Sequence, residues 1–510
     1  MSGKTRSAPP RADAMLESLR GLGYTAPTAL ADIVDNSISA GASNVGIWLT
    51  WQGPGSRVAI LDDGRGMCDS ELEKAMRLGD KSPLDVRDAA DLGRFGMGLK
   101  TSSFSQCRRL TVASRKDGQL ACLRWDLTKL AERPLDWLMY EGPEPGSEDF
   151  LRPLDANATG TIVLWEDLDR IVTEGYQAED FADLIDDIET HLAMVFHRLI
   201  EGPHPKFQLS INGRAVRPWD PFMTDHPSKT WSSHPAKRAT ASGPIEIEGH
   251  VLPHKDRLSA EEFEAAAGPN GWTAQQGFYI YRNERLLVAG GWLGLGQGRV
   301  WNREESHRLA RIRLDIPNTA DADWKIDIRK STARPPVALR SWLTRHAEDT
   351  RERARKVFAF RGIPTAGRGR APIEQAWRVE HTAGGTKYRI DEKHPAVAAA
   401  LEAGAEQVSL IRAMLRVIEE TVPVQRIWLD TAEHRDTPRT GFTGEPPEAI
   451  VQVLRTLFED MVGRKGMSAE DARKALLSTE PFQNYPALVA ALASDAPGAR
   501  EEPNKNEGAT

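Results

Sequence analysis

Cysteine is scarce in this chain: Cys68, Cys107 and Cys122 are the only thiols among 510 residues. Three cysteines without CxxC spacing do not make a disulfide framework or a structural zinc site, and they fit a reducing compartment. Long apolar runs are lacking too. No stretch approaches the roughly 20 apolar residues that a bilayer span needs, and the opening MSGKTRSAPPRADAMLESL has no apolar signal core. The expectation is a cytoplasmic protein with no membrane contact. Nor is there an excess of positive charge. Sixty-six Lys and Arg stand against 73 Asp and Glu, a net charge of −7, which excludes a globally basic nucleic-acid coat but not a local basic patch. A P-loop is missing where its glycines suggest one: Gly93 and Gly98 bracket four residues, but Leu99 stands where the lysine belongs. What is present is 40% hydrophobic residues, enough for sizeable cores. At about 150 residues per domain, two to four domains are expected.

The pattern along the chain is mixed. Residues 1–12 are polar and read as a flexible arm. From there to about Phe222, helical and strand patterns alternate. Helices are expected at Ala29–Ala40, Glu71–Leu78, Gly98–Gln106 and Phe181–Ile200. Strands are expected at Val45–Trp51, Arg57–Asp62 and Thr161–Trp165. Leu110–Ser114 and Leu120–Asp126 flank the turn Lys116-Asp117-Gly118, and Phe207–Ile211 and Ala215–Val216 flank Asn212-Gly213, so both read as hairpins. A second block, from about Lys206 to Pro336, holds strand candidates at Ile245–Leu252, Gly277–Tyr281, Leu286–Val288 and Ile312–Ile316, with a helical insert at Ser259–Ala267. From Val337 on the pattern is mostly helical, interrupted by Gly362–Pro372 and Asp436–Pro447. Ser494–Thr510 reads as a disordered tail.

Four segments carry chemistry. In Leu30–Ala40, Leu30, Ile33, Val34 and Ile38 share one helix face, and Asp32 and Asn36, four apart, share one stripe. A carboxylate beside an amide can orient a water and hold magnesium, although the segment alone also reads as a solvated polar face. In Val58–Met67 an apolar strand runs into Asp62, followed by Gly64, Gly66 and Met67. The glycines let backbone approach a flat ligand closely, and a carboxylate there can accept a hydrogen bond from an adenine amine; a tight turn is the plainer reading. In Gly93–Ser103, Gly93, Gly96 and Gly98 precede Leu99, Lys100 and Thr101, and a glycine cluster opening a helix presents amides to phosphate oxygens. Finally, Gly160-Thr161 heads an apolar strand and can set a hydroxyl beside a base.

Together and in this order, over roughly residues 12–170, these segments resemble the GHKL ATPase superfamily of gyrase B, heat-shock chaperones, histidine kinases and MutL. The resemblance implies an α+β protein. A Bergerat-type α/β sandwich that binds ATP occupies residues 13–200, a ribosomal-protein-type βαβ transducer domain residues 201–336, a basic helix and linker 337–371, a helical module 372–493 and a disordered tail 494–510. It implies that Asn36 holds Mg2+, that Asp62 reads adenine with help from Gly64, Gly66, Met67 and Thr161, and that Gly93, Gly96, Gly98, Leu99, Lys100 and Thr101 surround the phosphates. Lys81 lies in the implied lid, and Lys330, with Lys325 as alternative, is the implied γ-phosphate contact. Asp32 stands where hydrolysing members carry Glu as general base. Asp is one methylene shorter, and a misplacement of about 1 Å can cost ~10²-fold in rate, so slow turnover is expected.

The later chain selects a branch. None of the twelve histidines precedes Asp or Glu, as a kinase phosphoacceptor would, and no Asp-x-Asp follows residue 334, as a topoisomerase would require. No His/Glu cluster of an endonuclease is seen near the C-terminus. Phe207–Phe222, Gly277–Arg285 and Asp323–Ser331 resemble the transducer of MORC-like ATPases. That resemblance implies a dimer that closes on ATP binding, acting in prokaryotic anti-phage or restriction-linked defence with co-encoded partners. Arg334–Arg370 holds ten Lys and Arg against three Asp and Glu, so DNA is the expected client, through Arg351, Arg353, Arg355 and Lys356. A nucleotide-switched protein scaffold and a chaperone-like ATPase are the alternatives.

Overall fold

A computed structural model of the chain describes residues 10–79, 98–133, 136–202, 205–320, 323–327, 330, 332–359, 374–382, 385–403, 407–427, 448–482 and 485–492. The chain forms two compact units, Met1–Gly362 and Ile363–Thr510. The architecture is α+β, as the sequence implies. Among the described residues no helix is long and apolar enough to cross a membrane.

The first unit begins with α1 (Ala12–Arg20) and α2 (Ala26–Ser39). α2 starts three residues earlier than its apolar spacing suggests. Thr25 and Thr28 form a capping box and a proline sits in the first turn, where its missing N–H costs nothing. Next come α3 (Asp69–Met76), α4 (Gly98–Phe104), α5 (Leu127–Glu132), α6 (Ala178–Val195) and α7 (His197–Ile200). The single long helix expected at 181–200 is therefore two, parted at buried Phe196, whose backbone leaves the helical region (φ −107°, ψ 8°).

Eight strands interleave with these helices: β1 (Asn44–Thr50), β2 (Arg57–Asp62), β3 (Arg109–Lys116), β4 (Gln119–Asp126), β5 (Tyr140–Glu141), β6 (Gly160–Glu166), β7 (Gln208–Ile211) and β8 (Arg214–Ala215). They form one sheet in the order β5-β4-β3-β6-β2-β1-β7-β8. Every pair in it is antiparallel except β1 with β7. Alternation along the strands assigns the faces. Val58 and Ile60 of β2, Leu110 and Val112 of β3, and Val163 and Trp165 of β6 share a core with Leu30, Ile33 and Val34 of α2 and with Ile188 and Leu192 of α6. The intervening Ala59, Ala113, Ile162 and Leu164 pack on Leu154 from the opposite side. β6 is consequently buried along its full length.

The two hairpin turns read from the sequence are present, with left-handed backbone at Asp117-Gly118 and Asn212-Gly213, the conformation two-residue turns favour. The second hairpin departs from expectation in its placement. The resemblance places it in the transducer domain, yet β7 pairs with β1 and extends the first sheet. The apolar Leu209 and Ile211 complete the first core, which carries that layer past residue 200.

A second sheet follows: β9 (Trp231–Ser232), β10 (Ala236–Thr240), β11 (Gly243–Val251), β12 (Gly277–Arg282), β13 (Arg285–Ala289) and β14 (Ala310–Asp315). Its order is β10-β11-β14-β12-β13, with β9 beside β11, and β12 runs parallel to β14. β12 and β13 join through Asn283-Glu284, both at positive φ. Helices α8 (Ala260–Ala267) and α9 (Gly271–Ala274) lie between β11 and β12. The long helix α10 (Val337–Ala359) packs on this sheet through Leu339, Leu343, Ala347 and Ala354, a stripe at helical spacing.

The second unit is less helical than expected at its start. Its described residues begin with a hairpin, Trp377–Thr382 with Gly385–Ile390, rather than a helix. Its core collects Leu454, Phe458, Ala472, Leu476, Phe482 and Val489, from helices at Glu448–Glu459, Ala469–Leu476 and Pro486–Ala490 and the turn between the last two.

Candidate functional site

The apolar rows on the helix-covered face of the first sheet end in polar residues. Val58 and Ile60 lead to Asp62, Leu110 and Val112 to Ser114, and Trp165 and Val163 to Thr161. The pairing sets these three side by side, with Asp62 opposite Thr161 and Thr161 opposite Ser114. The Ser114 hydroxyl lies 2.9 Å from that of Thr161 and accepts the Met67 amide at 2.8 Å. Asp62 is 7% exposed. Its carboxylate accepts the Ser37 hydroxyl at 2.8 Å and the Gly64 amide at 2.9 Å. Burial pushes its pKa above the ordinary carboxylate range, against the pull of Ser37 and the Gly64 and Thr161 amides.

Backbone closes tightly around this row. Gly66 has φ +64°, and a Cβ there would sit 2.0 Å from the Arg115 carbonyl oxygen. A Cβ on Gly64 would lie 2.9 Å from that of Ala40. Only glycine satisfies both the left-handed angle and the contact at position 66.

A second polar cluster lies on α2. Asp32 and Asp35, 5% and 2% exposed, face the protein interior. The Tyr24 hydroxyl donates to Asp32 at 2.8 Å. Lys330 reaches Asp32 at 2.9 Å and Asp35 at 2.5 Å. Arg285, at the head of β13, donates from Nε to both Asp35 oxygens at 3.1 Å. Burial by itself would raise the Asp35 pKa, but Arg285 and Lys330 hold it below the ordinary value. Burial and the adjacent carboxylate drive the Tyr24 phenol far up, so it stays a donor. Lys330 and Lys325 both adopt positive φ, +54° and +49°. Of the two, the structure brings Lys330 to α2 and leaves Lys325 exposed.

The remaining sequence-expected positions divide. Asn36 is exposed on α2. Gly98 opens α4, and a Cβ on it would lie 3.9 Å from an Asp32 oxygen. Leu99 packs against the first core. Lys100 is 2% exposed, and its ammonium donates to the carbonyls of Ala75 and Arg77 at 2.8 and 2.9 Å, which holds the end of α3. Thr101 is fully buried and exchanges a hydrogen bond with Tyr24. Lys81, Gly93 and Gly96 lie outside the described residues. Tyr24, Ser37, Asp35, Ser114 and Arg285 were not anticipated as site residues. For Ser114 the available signal was its place at the end of the apolar strand candidate Leu110–Ser114.

The basic helix needs a correction. Arg351, assigned to a DNA backbone, is 7% exposed. Its guanidinium packs against both the Trp292 and Trp301 rings, 4.4 and 4.5 Å from their centroids, and these contacts withdraw it from the surface. Arg353 pairs with Asp349 and Lys356 with Glu352, each one helical turn away. Arg355 is exposed.

A divalent cation was expected at Asn36. Among the described residues no group of three or more His, Cys, Asp and Glu is placed to hold a metal. Magnesium does not need one, because it keeps several waters and draws ligands from substrate phosphates with one or two protein oxygens. The exposed amide of Asn36, one turn from Asp32, suits that demand.

Residues 24–161 match the family described as histidine kinase-, DNA gyrase B-, and HSP90-like ATPase. The chain is 37% identical over 102 residues to the DNA mismatch repair protein MutL of Rhodospirillum rubrum, covering 20% of this chain and 16% of that protein. It is 29% identical over 118 residues to the ATPase MORC2A of Mus musculus, covering 22% and 11%. It is 30% identical over 96 residues to the ATPase morc-1 of Caenorhabditis elegans, covering 19% and 11%. The similarity thus spans less than a fifth of each of these relatives.

Proposed function

We propose, from the match of residues 24–161 to the histidine kinase-, DNA gyrase B- and HSP90-like ATPase family, that the protein binds ATP with magnesium, hydrolyses it slowly, and uses nucleotide-dependent pairing of two copies to clamp DNA. The observation that carries this reading is the buried carboxylate of Asp62, held by Ser37 and Gly64 in a polar row with Thr161 and Ser114. It supplies an acceptor for an exocyclic amine, with the backbone of Gly64 and Gly66 packed close beside it.

In this reading Asp62 accepts the adenine amine, with Thr161 beside it and Gly64, Gly66 and Met67 forming the wall. Asn36 donates an oxygen to magnesium, which when bound neutralises phosphate charge. Asp32 is the general base and Lys330 the γ-phosphate contact. Gly98, with Gly93, Gly96 and Lys81 by resemblance, surrounds the phosphates. Lys100 supports the site from behind by fixing the end of α3. Slow turnover is favoured by two facts: the carboxylate of Asp32 is one methylene short, and it is engaged by Tyr24 and Lys330. That same engagement supports a second reading, a nucleotide-switched scaffold with little hydrolysis. DNA contact would run through exposed Arg355 with Arg353 and Lys356, as a phosphate contact without base readout. The setting in anti-phage defence rests on the resemblance to MORC-like proteins.

Phosphate release from purified protein, with Asp32→Ala as control, tests hydrolysis. Calorimetric titration with ATP, ADP and a non-hydrolysable analogue tests binding. Analogue-dependent dimerisation with measurable release supports the ATPase clamp, and dimerisation without release supports the scaffold. No heat with any adenine nucleotide overturns both.

A further inference from the structure

The two carboxylates on α2 face two cations that arrive from the second sheet and its following loop. Asp32 and Asp35 carry two negative charges, and Lys330 and Arg285 two positive. The pairing is unequal. Arg285 grips Asp35 with both oxygens at 3.1 Å, and its Nη2 stays 3.9 Å from Asp32. Its Nη1 is committed to the Leu286 carbonyl at 2.6 Å, and only 3% of the residue is exposed. Lys330 bridges both acids. Nearby His191 is kept neutral, because burial and the charge of Arg285 push its pKa down to about 4. It therefore adds no further cation to the balance.

When Lys330 leaves for another anion, the consequences for the two acids differ. Asp35 keeps Arg285 and remains a paired ion. Asp32 keeps the Tyr24 hydroxyl at 2.8 Å and only the more distant Arg285 Nη2 at 3.9 Å, and becomes the less compensated charge. We infer that Arg285 is a positioning residue that holds Asp35 in place of Lys330, so that Lys330 is released to a γ-phosphate and the freed negative charge falls on Asp32. This rests on the roles proposed above for Asp32 and Lys330, but the pairing itself does not depend on nucleotide. A buried carboxylate left without a partner is costly. Without Arg285, Asp35 would therefore retain Lys330 and withhold it from nucleotide, which lowers apparent affinity by the fraction of molecules left competent.

The test uses the full chain as wild type, Arg285→Gln, Arg285→Lys and the double variant Arg285→Gln/Asp35→Asn. ADP and a non-hydrolysable ATP analogue are titrated calorimetrically. Arg285→Gln is expected to weaken the analogue about tenfold or more while ADP changes by less than about twofold. Arg285→Lys, which keeps the charge, and the double variant, which removes the competing acid, are expected to restore the analogue-to-ADP ratio. A merely structural role would weaken both nucleotides together without rescue by the double variant, and that result overturns the inference. A second readout needs no nucleotide: the rate at which an acylating reagent labels Lys330, followed by mass spectrometry. It is expected to be slower than wild type in Arg285→Gln and faster in the double variant. Equal rates in all variants overturn the lock. If wild type binds neither nucleotide, the proposed function fails, and the labelling order alone decides the lock.

Discussion

Replacing Asp62 by asparagine isolates the interaction on which base recognition would depend. The substitution conserves volume and keeps one carbonyl oxygen, which can still accept the Gly64 amide now 2.9 Å away. The amide nitrogen can donate to the Ser37 hydroxyl, which at present donates to the carboxylate at 2.8 Å. What is lost is the charged acceptor for the base. A hydrogen bond to a charged group contributes about 1.5–3 kcal/mol, or about 10- to 150-fold in Kd. Asp62→Asn is therefore expected to weaken ATP and ADP equally, by about 10- to 150-fold, as read by calorimetry. Stability moves differently. Burial raises the folded pKa of Asp62 above the ordinary 3.8. The favourable contribution of such a group is fully present below the unfolded value and lost as pH rises through the folded one. At neutral pH the ionised side chain is thus a cost, and the variant is expected to melt no lower than wild type. Wild-type affinity for adenine nucleotides is expected to fall with acidification through a midpoint above 3.8, and the residual affinity of the variant to lack that step. A well-folded Asp62→Asn variant whose affinity matches wild type within about twofold would refute the reasoning.

Four further outcomes follow from the same geometry. Asp32→Ala is expected to lower phosphate release by at least about 10²-fold while analogue binding persists; unchanged release would remove Asp32 from catalysis. Gly66→Ala imposes a left-handed conformation costing about 1–2 kcal/mol and a clash with the Arg115 carbonyl, so its melting temperature should drop and nucleotide binding should fail; a stable, binding-competent variant would contradict the close approach. Arg351→Ala is expected to lower stability by about 2 kcal/mol through its two tryptophan contacts and to leave the salt dependence of DNA binding unchanged. Neutralising Arg353, Arg355 and Lys356 should flatten that dependence, measured by fluorescence anisotropy.

Much of the first sheet was legible because its strands alternate. Arg57–Asp62 was read to the residue, and Asp117-Gly118 and Asn212-Gly213 announced their turns. The placement of Asp62 and Thr161 side by side at strand ends was foreshadowed for a different reason: each interrupts an apolar strand at its end. The pairing partner of β7 was not legible, since Leu209 and Ile211 would satisfy either core and the hairpin says nothing of which sheet receives it. Asp35 was not legible as a site residue, because its partner, Arg285, lies 250 residues away in sequence. No local pattern carries such a pair. Arg351 looked like part of a charged surface because its neighbours are charged. Its burial depends on Trp292 and Trp301, which only the second sheet brings near.

The complete burial of β6 has one more consequence. A strand with one wet face is locked in place by hydrophobicity, because sliding by a single residue would turn its oily side outward. β6 has no wet face, so that penalty is weak. Its alignment is instead held by Gly160, where an added methyl would sit 2.2 Å from the Asp62 carbonyl oxygen, and by the hydroxyl pair of Thr161 and Ser114. Folding and the purine recognition proposed for this row therefore answer to the same few atoms. A mutation there that blunts the proposed binding is also expected to loosen the thread that keeps the middle of the sheet aligned.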